Sequence, residues 1–170
     1  MKKNLQNLLL LAIASLMVVS QLFFTQPVQA QTPTKVPIDD NRSVLLNGKE
    51  KTLLTKSEIA KGKKLFNSAC ANCHVGGATL TNPNVGLDSE TLALASPQRN
   101  TIEGLVDYMK NPTTFDGVDD ISELHPSLKS TDIFPIMRGL TDPELKAIAG
   151  YILYSSNLKG VSWGGGKIYY

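Results

Sequence analysis

Cys70 and Cys73 are the only cysteines in the 170-residue chain, and His74 follows the second directly. This CxxCH run is the arrangement that attaches a c-type haem. On a helical turn both thiols lie on one side, where they can add to the two vinyl groups of a porphyrin. The adjacent imidazole then reaches the iron as an axial ligand. A thioredoxin-like CxxC would need a βαβ setting, which the flanking sequence lacks. A structural zinc site normally takes two further Cys or His ligands, and only one other histidine exists. The expected cofactor is one covalent haem c per chain, with Cys70 and Cys73 as thioethers and His74 on the iron.

The second axial ligand is less clear from the residues alone. The stretch DISELHPSLKSTDIFPIM, Asp120 to Met137, carries both His125 and Met137. Pro126 biases the backbone of His125 towards an extended form, so its ring can project from a fixed loop. Met137 stands sixty-three residues after His74, a spacing compatible with ligation in short c-type cytochromes. It also follows Ile133, Phe134 and Ile136, where a methionine often only fills space. Local chemistry leans towards His125 and leaves Met137 open. The choice matters because methionine ligation raises the potential, whereas two imidazoles favour ferric iron and lower it. Asp119, Asp120 and Glu123 would add to the ferric preference if they lay near the haem.

Several elements must position these groups. Thr55 can cap a helix from Lys56 through Ile59, Gly62, Leu65 and Phe66 up to the cysteines, with Glu58 in its first turn. Before it, Asn47-Gly48 between two apolar-bearing runs predicts a small β-hairpin with a tight turn of positive φ. Thr101 predicts a helix over Ile102 to Lys110, stopped by Asn111-Pro112. Residues 113–124 read as a loop, and Asp132 to Arg138 as a short helix constrained by Pro135. Thr141 caps the last helix, with Pro143 in its first turn and Leu145, Ile148, Ala149 and Ile152 on one face. The tail from Trp163 to Tyr170 is glycine-rich and then aromatic, which suits a buried interface.

The ends and the charge set the compartment and exclude some partners. Lys2 and Lys3, an apolar stretch from Leu8 to Phe24 and the small residues Val28 and Ala30 form a secretory signal over residues 1–30. The mature domain is expected over 31–170, with an extended segment from Gln31 to Asp40. The formal charge is +2. Lys2 and Lys3 account for it, so the mature chain is near neutral and its haem propionates would make it acidic. No Lys/Arg cluster suits a nucleic acid.

Gly62 and Phe66 before the haem motif, with Tyr151 in the closing helix, resemble the class I cytochrome c pattern of helices crossing at a glycine. CANCHVGG, ETLALA, IEGLVDYMKNPTT, LHPSL, DIFP and WGGGKIYY resemble, more narrowly and over essentially the whole mature chain, the cytochrome c-550 family of photosystem II. That resemblance implies an all-α, class I cytochrome c fold with a small N-terminal β-hairpin, and two histidine ligands, His74 and His125. It implies a non-enzymatic extrinsic subunit that stabilises the oxygen-evolving manganese cluster and its calcium and chloride requirement, with no small-molecule substrate. Its partners would be the lumenal surface of the photosystem II core and the other extrinsic subunits, reached by peripheral association with the thylakoid membrane from the lumen. Gln31 to Asp40 and Tyr154 to Val161 carry no family signature. The alternative is therefore a diverged paralogue acting as a soluble lumenal electron carrier.

Overall fold

The computed structural model describes residues 40–164. The signal, most of the extended segment and the terminal tyrosines lie outside them. The described chain runs β1 (Ser43–Leu45), β2 (Lys51–Leu53), α1 (Lys56–Ala69), α2 (Ser89–Leu94), α3 (Ile102–Lys110) and α4 (Asp142–Lys159), with short 3-10 turns between. This is the expected mostly helical fold with one two-stranded antiparallel hairpin. No helix of the described residues is long and apolar enough to cross a membrane.

The hairpin forms as expected, but its turn works differently. Five residues separate the strands, and Gly48 is not among the glycines with positive φ. The Asn47 side chain instead accepts from the backbone N–H groups of Lys49 and Glu50, each at 3.0 Å. This Asx turn replaces the left-handed glycine that a two-residue loop would need.

Helix starts match their capping residues. The N–H of Glu58 donates to Thr55 Oγ1 at 3.1 Å, and the N–H of Thr55 to the Glu58 carboxylate at 2.7 Å, so two free donors of α1 are satisfied. Thr101 accepts from the Gly104 N–H at 2.9 Å to open α3. At α4 the Glu144 carboxylate accepts from the N–H and hydroxyl of Thr141. The short α2 was not anticipated; Asp88 caps it by accepting from the N–H and hydroxyl of Thr91. The helix expected over Asp132 to Arg138 shrinks to a 3-10 turn at Pro135–Met137. Pro135 has no N–H and forces Phe134 out of helical geometry, to φ −118° and ψ 76°.

α1 and α4 cross at Gly62. A Cβ there would lie 2.0 Å from the Ala147 carbonyl oxygen and 2.8 Å from the Tyr151 Cβ, so only glycine permits the approach. α4 is buried on nearly all sides, from Leu145 to Ser156, rather than along the single face its apolar spacing suggests. α1, α3 and the hairpin surround it.

Next to the crossing, Phe66, Tyr151 and Trp163 form a triangle with ring centroids 5.4 to 5.9 Å apart. Trp163 is 1% exposed, and its indole N–H donates to the Leu87 carbonyl at 3.0 Å. This corrects the reading of Trp163 as docking surface. Gly77, at φ 87°, leaves a slot in which a Cβ would come within 2.6 Å of the indole, so the ring folds back into its own domain.

Gly62→Ala should therefore lower unfolding stability by about 3 kcal/mol, the upper range for overpacking, measured by denaturant titration. Trp163→Ala should cost about 3 to 5 kcal/mol by leaving a cavity. An unchanged denaturation midpoint would contradict its placement in the core.

Candidate functional site

The CxxCH run continues the end of α1. Cys70 donates its N–H to Phe66, and the N–H groups of Cys73 and His74 both donate to the Cys70 carbonyl, at 3.1 and 2.9 Å. These bonds close one more turn after α1, and Cys70, Cys73 and His74 all line one cavity of about 620 Å³. Both cysteines are unpaired. Burial, aided by the neighbouring Cys73, pushes the Cys70 thiol up to about 12. A redox-active CxxC needs a lowered thiol pKa, so the environment runs against the disulfide-exchange alternative.

His74 is held in one tautomer. Its Nδ1 lies 3.1 Å from the Thr79 hydroxyl, and that hydroxyl donates its proton to the Val85 carbonyl. Thr79 must then accept from His74, which leaves the proton on Nδ1 and the Nε2 lone pair free. Burial lowers the His74 pKa, with the nearby Ala78 carbonyl opposing, so the ring is a neutral donor at pH 7.

His125 enters from the other wall. A hydrogen-bonded turn on Ile121, with Leu124 and His125 both donating to its carbonyl at 2.8 Å, fixes the backbone. The ring centroids of His74 and His125 are 6.1 Å apart. With metal–imidazole bonds of about 2 Å and ring centres about 1 Å behind the nitrogens, two rings sharing one ion sit about 6 Å apart. The pair fits a single metal between them. Burial, with His74 as a second cause, lowers the His125 pKa to about 4, so this ring too is neutral at pH 7. The Pro126 backbone opposes that shift, but unlike His74 the buried Nδ1 of His125 makes no hydrogen bond of normal geometry.

Met137 is 2% exposed and lines the same cavity, within the core. The acidic groups expected near the haem lie elsewhere. Asp119, Asp120 and Glu123 are exposed, and Asp120 pairs with Lys129. Among the described residues lining the cavity, the charged side chain is a cation, Arg99. Its Nη2 donates to the Thr114 and Thr113 carbonyls at 2.7 and 3.1 Å, and its guanidinium carbon lies 3.9 Å from the centre of the Tyr108 ring. Arg99, Tyr108 and Thr79 escaped the sequence reading as site residues. Arg99 sits in a polar run without motif spacing, Tyr108 falls inside the helix expected over Ile102 to Lys110 with nothing to mark it out, and Thr79 lies in an irregular loop.

A helix pair crossed at glycine, CxxCH closing the first helix, and two imidazoles facing across an apolar cavity define a class I c-type cytochrome. The cytochrome c-550 domain matches residues 32–170, and the chain belongs to that family. Photosystem II extrinsic protein V of Trichormus variabilis is 55% identical over 155 residues, 90% of this chain and 95% of that protein. The crystal structure of cytochrome c549 is 52% identical, with a TM-score of 0.71 over 74% of this chain and 98% of that one. The PsbV2 cytochrome of Thermosynechococcus elongatus is 34% identical, with a TM-score of 0.58 over 67% and 82%. Haem c is the cofactor this membership implies, and the cavity, free thiols and paired imidazoles fit it.

Thr79→Val removes the acceptor from His74 Nδ1 and so lowers the basicity of that ring. The expected outcome is a higher midpoint potential than in Thr79→Ser, measured by redox titration of the two holoproteins.

Proposed function

We propose that this protein is a low-potential, bis-histidine c-type cytochrome that serves as an extrinsic subunit on the lumenal side of photosystem II. Cys70 and Cys73 carry the thioether bonds, and His74 and His125 are the axial ligands. The observation that carries the ligand assignment is the pair of neutral imidazoles 6.1 Å apart across the cavity. Met137 packs the core beside them. When bound, the haem supplies one reversible ferric–ferrous couple. With a side chain on each axial side, the chain keeps no position for peroxide or oxygen, so its role is not enzymatic turnover.

The protein attaches to the lumenal core surface and the other extrinsic subunits, and stabilises the oxygen-evolving manganese cluster with its calcium and chloride. Support comes from relatives named photosystem II extrinsic protein V at 55% identity. Similarity to the PsbV2 cytochrome is lower, at 34%. Residues 1–30 are assigned as the lumenal export signal and 31–170 as the mature domain. Docking is assigned to the tail beyond Gly164, with Tyr169 and Tyr170, since Trp163 is used internally.

His125→Met should raise the midpoint potential and introduce the sulfur-to-iron absorption band of a His/Met cytochrome, while Met137→Leu leaves the spectrum unchanged. The reverse pattern would reassign the ligand. A high-salt or alkaline wash of oxygen-evolving membranes should release the chain with loss of oxygen evolution, and added holoprotein should restore it. Protein lacking residues 165–170 should keep its haem spectrum and rebind more weakly. A chain never found on the membrane would sink the subunit reading.

A further inference from the structure

The two imidazoles are held by different means. His74 is oriented by the hydrogen bond to Thr79. The Pro126 backbone acts on the His125 ring, but its buried Nδ1 makes no hydrogen bond of normal geometry, although ligating histidines almost always have one. What touches the His125 ring is Tyr108, at a centroid distance of 4.9 Å and an interplanar angle of 59°. Behind Tyr108 lies Arg99, 6% exposed, with its guanidinium carbon 3.9 Å from the centre of that ring. Arg99 is fixed in turn by the carbonyls of Thr113 and Thr114. Those carbonyls belong to the start of the loop that delivers His125, and that loop is closed by the Thr113–Asp120 bridge and the Ile121 N–H on the Pro112 carbonyl.

We infer that Arg99 and Tyr108 form a clamp that positions His125 as an axial ligand and places a fixed buried cation beside the haem. The inference rests on the assignment of His125 as the second ligand. Tyr108 supplies the surface against which the imidazole lies, and Arg99 holds Tyr108 and the His125 loop together. A cation over an aromatic face is favourable, more so when desolvated. The charge also acts on the iron. A positive group in a cavity of low polarity favours the less positive ferrous state, because Coulomb interactions are stronger there than in water. Arg99 therefore opposes the lowering of potential by the two imidazoles, and its loss lowers the potential further.

The test uses full-length holoprotein and four variants: Arg99→Met, Arg99→Lys, Tyr108→Leu and Tyr108→Phe. The readouts are the rate at which cyanide displaces an axial ligand from ferric haem, the low-spin electron paramagnetic resonance signal and the midpoint potential. Tyr108→Leu and Arg99→Met should speed cyanide binding by about ten- to hundredfold and alter the resonance signal. Tyr108→Phe, which keeps the ring, should behave as the parent. Arg99→Lys keeps a charge without the planar fork, so its potential should stay near the parent while cyanide binding is fast. Arg99→Met should shift the potential downward.

Parent-like cyanide rates in both Tyr108→Leu and Arg99→Met would overturn the clamp, and an unshifted or raised potential in Arg99→Met would overturn the charge role. If Arg99→Met yields no folded holoprotein, the Tyr108 pair decides the clamp and Arg99→Lys against the parent decides whether the fork is needed. The two layers fail differently. An unchanged spectrum in His125→Met removes the ligand assignment, whereas a changed one with parent-like Tyr108→Leu removes only the clamp.

Discussion

The approach of α1 to α4 at Gly62 is the contact on which the rest of the structure depends. With the Ala147 carbonyl at 2.0 Å from where a Cβ would stand, the two helix backbones touch, and no other residue allows it. That contact fixes the direction in which α1 ends, and therefore where Cys70, Cys73 and His74 emerge. It also brings Phe66 and Tyr151 together, and Trp163 closes the triangle from a chain end nearly a hundred residues away. Because α4 is enclosed on almost every side, it serves as the common core element for the hairpin, α1 and α3. Ile152 on α4 reaches the cavity, so the same helix that sets the crossing also forms part of the haem wall.

The cavity that results is mostly apolar, with two imidazoles held neutral by burial. Neutral nitrogens are the form that binds a metal. The charge balance differs from what the acidic run before His125 suggested. Those carboxylates face solvent, and Asp120 is paired with Lys129. The cation Arg99 takes the place at the wall. The proposed bis-histidine ligation and Arg99 thus push the potential in opposite directions, with ligand identity the stronger lever. A haem ligated on both faces within a well-packed domain suits a subunit whose stability matters to its assembly.

Local chemistry was legible wherever it needs only neighbouring residues. CxxCH announced covalent haem attachment and Thr55, Thr101 and Thr141 announced three helix starts, whereas the crossing at Gly62 came from the resemblance to the class I cytochrome c pattern. Readings that depended on distant partners, such as Trp163 as docking surface, went astray or stayed open, and two local details were missed as well. The turn at Asn47 uses a side-chain acceptor in place of a left-handed glycine, and the six residues of α2 are too few to show a periodicity.

The sequence by itself determined the cofactor chemistry and the helix starts, because thiol spacing and capping act over a few residues, and its resemblance to a known family over the whole mature chain implied the fold class. Only the tertiary structure decided that His125 faces His74, that Trp163 is core and that Arg99 stands at the cavity wall. Each of those depends on contacts between segments far apart in the chain, such as Trp163 with Leu87 and Gly77. A local motif states what a residue can do, but which neighbours desolvate it, charge it or leave it unpaired is set only when the helices pack.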